Sequence, residues 1–158
     1  MRNHVRIIAA AASIASFFAA PSAAQDREVP YWARIGTSEL NMRVGPSREY
    51  RIDWVYKREG LPVKVLRLRE GWRLIEDPDG ATGWVVARML SADRGALVVG
   101  EGLAAMRADA SDGAALKWNL EPGVVGALGE CEAGWCAFAV GDRRGFVRAD
   151  RLWGSGEP

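Results

Sequence analysis

The stretch Val63-Lys64-Val65-Leu66-Arg67-Leu68-Arg69-Glu70-Gly71-Trp72-Arg73-Leu74-Ile75-Glu76-Asp77-Pro78-Asp79-Gly80-Ala81-Thr82-Gly83-Trp84-Val85-Val86 decides the fold. Val63-Lys64-Val65 alternates apolar with polar, Glu70-Gly71 interrupts, Trp72-Arg73-Leu74-Ile75 runs back, and Asp77-Pro78-Asp79-Gly80 turns the chain into Thr82-Gly83-Trp84-Val85-Val86. Successive side chains of a strand point to opposite faces, and Gly, Pro and Asp supply tight turns, so the spacing predicts a three-stranded antiparallel meander. No long helical period competes with it. Residues 87–90 are the one helical candidate, read as a single 3₁₀ turn that closes a small barrel.

The pattern recurs. Met42-Arg43 returns as Met106-Arg107, Glu59-Gly60 as Glu121-Pro122-Gly123, Gly71-Trp72 as Gly134-Trp135, and Gly83-Trp84-Val85 as Gly145-Phe146-Val147, with an offset that slides only from 64 to 62. Self-similarity at a fixed period signals a repeated structural unit. The expected class is therefore all-β, two tandem small β-barrels with the second diverged. The expected boundaries are an N-terminal extension at 25–36, a first module at 37–93, a second at 94–154 and a flexible tail at 155–158. Residues 96–99 read as an extra strand that welds the modules together.

Leu40-Asn41-Met42-Arg43-Val44-Gly45-Pro46-Ser47 resembles the opening of bacterial SH3 domains, and Glu59-Gly60, Glu70-Gly71-Trp72 and Asp79-Gly80-Ala81-Thr82-Gly83-Trp84-Val85 resemble its later markers. The second repeat keeps Met106-Arg107 but has Ala108-Asp109-Ala110 in place of the Gly-Pro-Ser turn, and Phe146 in place of the second Trp. It is similar to the second half of exported two-module proteins with a Cys-x-x-x-Trp-Cys hairpin and a terminal Leu-Trp-Gly. The likeness spans residues 31–154. It implies small SH3-like β-barrels that bind peptides, including cell-wall peptides in some members, in a groove beside the first long loop.

A barrel of some fifty residues buries little surface, so large aromatics are expected to supply most of its core. Gly60, Gly71, Gly80 and Gly83 are expected where positive φ or close backbone approach is required.

Residues 1–24 read as a secretory signal peptide: Arg2 and Arg6 precede an uncharged, Ala-rich run, and Ser22 and Ala24 supply small residues for cleavage near Ala24. The expected location is periplasmic or secreted, with no membrane span after cleavage. Loss of Arg2 and Arg6 from the 21 basic residues, against 20 acidic ones, leaves a nearly neutral chain. Phosphate-backbone binding needs a clustered basic excess, so nucleic acid is excluded as a partner.

Export places Cys131 and Cys136 where disulfides persist, and they flank the counterpart of the Glu70-Gly71-Trp72 hairpin, so a bond between them is expected. The single histidine, His4, leaves with the signal peptide, which removes Cys/His and Ser/His/Asp catalysis. Zinc would need more Cys or His than the chain owns. Glu76, Asp77 and Asp79 read as solvated turn carboxylates. The expectation is a protein without enzyme activity or cofactor, which recognises cell-wall peptide or an envelope protein. The alternative is an envelope scaffold or stress factor without a small ligand. Candidate groove residues are Arg43, Tyr50, Trp54, Tyr56, Trp72 and Trp84; the competing reading makes these rings core and module interface.

Overall fold

The structure is a computed structural model that describes residues 27–158; the expected signal segment lies outside the described residues. The first module contains β1 (Tyr31–Ile35), β2 (Leu40–Arg43), β3 (Ile52–Tyr56), β4 (Pro62–Arg69), β5 (Trp72–Glu76), β6 (Thr82–Val86) and β7 (Leu90–Ser91). The second contains β8 (Gly95–Val98), β9 (Ala104–Arg107), β10 (Leu116–Leu120), β11 (Val125–Glu132), β12 (Trp135–Val140), β13 (Arg143–Arg148) and β14 (Leu152–Trp153). The sheet orders are β3-β2-β6-β5-β4-β1-β7 and β10-β9-β13-β12-β11-β8-β14, so the topology is duplicated strand for strand. A 3₁₀ turn precedes each closing strand, at Ala87–Met89 and at Ala149–Arg151. The all-β class and the tandem small barrels are as the sequence predicts.

The repeated motifs explain one another. Met42 and Met106 point into their cores, fully or nearly fully buried. A Cβ on Gly83 would stand 2.4 Å from Met42 Cγ, and one on Gly145 would stand 2.5 Å from the Arg107 carbonyl and 2.7 Å from Met106 Cγ. Each Met-Arg strand therefore requires a glycine on the neighbouring strand, which is why the two landmarks recur together. Gly60, Gly71 and Gly80 have positive φ, as expected of turn glycines.

The cores differ from expectation in composition. The first gathers Ile35, Leu40, Met42, Val63, Val65, Ile75 and Val85, and the second gathers Val98, Met106, Phe138, Val147 and Leu152, with Tyr56 and Phe138 the aromatic members of these clusters. Strand alternation is the reason. Val85 points inward at full burial, so its neighbour Trp84 must lie on the outer face, where it is only half-buried. Trp72 is likewise half-buried on β5.

The segment assigned to an N-terminal extension supplies β1, which pairs with β4 and β7 inside the first sheet. Its counterpart is β8, which pairs with β11 and β14 within the second sheet, while its Leu97 packs against the first core and so joins the modules as expected. Side chains and small residues make the junction. The Trp32 and Trp153 rings meet edge to face, with centroids 4.6 Å apart, and Trp32 Nε1–H donates to the Gly156 carbonyl at 2.7 Å. Arg94 donates to the Gly154 carbonyl, and a Cβ on Gly95 would lie 2.7 Å from the Gly60 carbonyl. Ser155 bonds back to the Ala149 and Leu152 carbonyls, so residues 155 and 156, set aside as flexible tail, are tied to the barrels.

Candidate functional site

Two clefts hold four of the six candidates. One, of about 620 Å³, lies between β3 and the loop after β5, and its walls include Trp54, Tyr56, Asp77, Pro78 and Asp79, with Leu97 and Gly123 of the second module at one end. A smaller cleft of about 230 Å³ contains Arg43 and Trp72 beside Arg48 and Arg88. Tyr50 and Trp84 line neither of these two. The six residues thus do not form one groove.

Their individual roles follow from their partners. Arg43 donates to the carbonyls of Arg48 and Tyr50, and Arg107 donates to the carbonyl of Ala114, seven residues on just as Tyr50 is from Arg43. The repeated Arg is a clamp on the loop that follows its strand. Tyr50 folds over Gly45, where any Cβ would fall 2.6 Å from its ring. Tyr56 is buried, and its hydroxyl donates to Asp77 Oδ2 at 2.8 Å.

Asp77 is the correction that matters most. It reads as a solvated turn carboxylate, yet it is only 7% exposed and is the buried charged residue among those described. Its Oδ1 accepts the N–H groups of Asp79 and Ala81 while Oδ2 accepts Tyr56, so a five-residue loop is wrapped around one carboxylate. A buried charge must be hydrogen-bonded to be tolerated, and this one has three donors. Burial, then the bond to Asp77, pushes the Tyr56 hydroxyl well above its ordinary value of 10.0. The partner lies 21 residues upstream of the loop, and no local signal in the sequence connects the two. Glu76 faces Lys64 at 3.5 Å, and Asp79 remains exposed.

Trp54 stands apart. It is 60% exposed, and in register it faces Met42 just as Trp118 faces Met106. Trp118 is half-buried, packs against the second core and carries Lys117 Nζ 4.7 Å above its ring. Two indoles thus occupy one position of a duplicated unit. Only the second is covered. The pairing of Trp54 with Trp118 escaped the sequence comparison, although their common distance from the Met-Arg landmark would have shown it.

The second module has no counterpart to the wrapped loop. Its β12–β13 turn is Gly141-Asp142, and Leu120 stands where Tyr56 does. Its own device is the expected disulfide Cys131–Cys136, which joins residues facing each other across β11 and β12. Among the described residues no His, Cys, Asp or Glu cluster could hold a metal ion, and no helix is long and apolar enough to cross a membrane.

Fold and site together define a class: paired small β-barrels with several aromatic side chains on outer faces and at the junction. The sequence profile of the bacterial SH3 domain matches twice, over residues 36–92 and 100–154, and the chain belongs to that family. No curated protein matches it. Among solved structures it is similar to NlpC2 and NlpC1 from Trichomonas vaginalis, at 12% and 14% identity and TM-scores of 0.36 and 0.35. Those matches cover 81% and 83% of this chain and 49% and 48% of theirs. An NlpC/P60 family protein from Bacillus cereus matches at 10% identity and TM-score 0.35, over 78% of this chain and 56% of its own. The chain spans about half the length of these structures.

Proposed function

We propose that this is a non-catalytic binding module of the cell envelope, periplasmic or secreted, that holds a peptide of the cell wall or of an envelope protein in the cleft beside Trp54. The working units are the strands of each sheet, about residues 31–93 and 94–154, with recognition in the first. The observation that carries the reading is the uncovered indole of Trp54 in a position where its duplicate, Trp118, is packed. The fold is satisfied with that ring covered, so its exposure serves something else. Aromatic rings at the mouth of a cleft give large contact area at small entropic cost. The cleft's carboxylate Asp77 is fully engaged by three donors, which favours recognition over acid–base work. Membership of the bacterial SH3 family and the disulfide agree with an extracytoplasmic binding role. Trp72 and Trp84 are assigned to the outer sheet face, Tyr50 to the loop that borders β3, and Arg43, at the end of β2, to clamping that loop.

The test is retention on purified sacculi and on immobilised envelope extract, comparing the wild type with Trp54→Ala. Retention that the substitution removes, with unchanged circular dichroism, supports the reading; no retention on either material defeats it.

A further inference from the structure

Resting on the peptide-binding reading above, we infer that the partner is an extended, acidic protein segment, held as an added strand along the free edge of β3. β3 ends its sheet and pairs only with β2. An edge strand directs alternate N–H and C=O groups away from the sheet, and an incoming extended chain takes them up as ladder hydrogen bonds. Among the described residues, five of the eight exposed large apolar side chains, Val44, Tyr50, Ile52, Trp54 and Val55, lie on this strand or in the segment just before it. The register is regular from Trp54 to Tyr56, so this part of the edge is a straight run.

Charge selects the occupant. Asp53 is held by Arg51 at 2.6 Å and Glu49 by Ser47, whereas Lys57 and Arg58, at the end of the strand, make no ion pair among the described residues. A second copy laid antiparallel about Trp54 would set Arg51 against the copy's Lys57, and like charges opposite each other destabilise a pair. In that register the edge disfavours a copy of itself. It suits a segment with an apolar side chain over Trp54 and a carboxylate opposite Lys57 and Arg58. On the corresponding strand, β10, Lys117 donates to the Arg144 carbonyl and covers Trp118, so the aromatic surface beside that edge is already occupied.

The probe is the acetylated, amidated pentapeptide Glu-Val-Thr-Val-Glu, with a Lys-Val-Thr-Val-Lys version and a version N-methylated at both valines. Binding is read by amide hydrogen exchange and by titration followed by NMR. The Glu peptide is expected to slow exchange within residues 52–56 and not within 116–120. Its affinity is expected to fall about tenfold or more for the Lys version, for the N-methylated version and for the exposed charge reversals Lys57→Glu and Arg58→Glu. A Glu peptide that does not bind, or that binds regardless of N-methylation, overturns the inference. So does a concentration-dependent dimer abolished by Trp54→Ala, which would seat a second copy on the edge. Retention on sacculi that needs Trp54 but is unaffected by the Glu peptide overturns strand addition while leaving the binding reading intact.

Discussion

The two modules share every strand and differ in what secures them. The first wraps the Asp77 loop around a buried carboxylate and leaves Trp54 open; the second shortens that loop to Gly141-Asp142, ties its β11–β12 hairpin with Cys131–Cys136 and covers Trp118 with Lys117. A small barrel lacks the surface to be stable on apolar burial alone, so each copy has acquired a separate supplement. The longer loop does one thing more. It forms the far wall of the cleft beside Trp54, so a stabilising device in the first module also shapes the proposed binding surface.

The largest expected effect sharpens what the modules share. Gly145→Ala drives a Cβ against the Arg107 backbone, which cannot yield, and is expected to cost about 3 kcal/mol. Gly83→Ala meets first the flexible Met42 side chain and is expected to cost about 1–2 kcal/mol. Urea unfolding of both variants checks the order; equal losses would mean that the close approaches are equivalent in the two copies.

Next comes the disulfide. Its reduction by dithiothreitol is expected to lower stability by about 2 kcal/mol, the loop entropy of a six-residue ring, with faster hydrogen exchange confined to the second module. Accelerated exchange spread through residues 31–91 would show instead that the copies unfold as one unit.

Tyr56→Phe removes the donor to Asp77 Oδ2 and is expected to cost about 1.5–3 kcal/mol in the first module. The same residue gives that module a pH response. Because the folded Tyr56 hydroxyl titrates above 10.0, the unfolded chain loses this proton first, and stability is full below pH 10 and falls as pH rises beyond it. The slope approaches about 1.4 kcal/mol per pH unit. Tyr56→Phe should flatten this contribution, whereas Leu120 gives the second module none there. Thermal unfolding of both proteins between pH 8 and 11 tests the sign.

The smallest effect lies in the paired hairpins. Ala133 has φ of 51°, in a region costly for a residue with a Cβ, while in the first module only Gly71 of the corresponding turn is positive. Ala133→Gly is expected to raise the unfolding free energy by about 0.5 kcal/mol; a loss of stability would show that the turn carries no strain.

The fold was legible because its markers are coupled. Met42 needs Gly83 and Met106 needs Gly145, so two distant short motifs had to be kept together, and their recurrence revealed the duplication. The equivalence of β1 and β8 was missed because Tyr31-Trp32-Ala33-Arg34-Ile35 and Gly95-Ala96-Leu97-Val98 share no motif; it lies in backbone pairing, which leaves residue type free. The tryptophans drew attention as core, but strand alternation sends several of them outward. Asp77 looked solvated because a Pro- and Gly-flanked acid in a turn usually is, and only the distant Tyr56 makes it otherwise. Of the candidate site, Trp54 and Tyr56 share a cleft, and Arg43 and Trp72 share another.

Trp54→Ala and Trp118→Ala, compared for thermal stability and for retention on sacculi and envelope extract, test the division of labour most directly. The expected result is that Trp54→Ala abolishes retention with a melting temperature within about 2 °C of wild type, while Trp118→Ala melts clearly earlier and still binds when folded. Loss of stability from Trp54→Ala with undiminished retention would contradict the account.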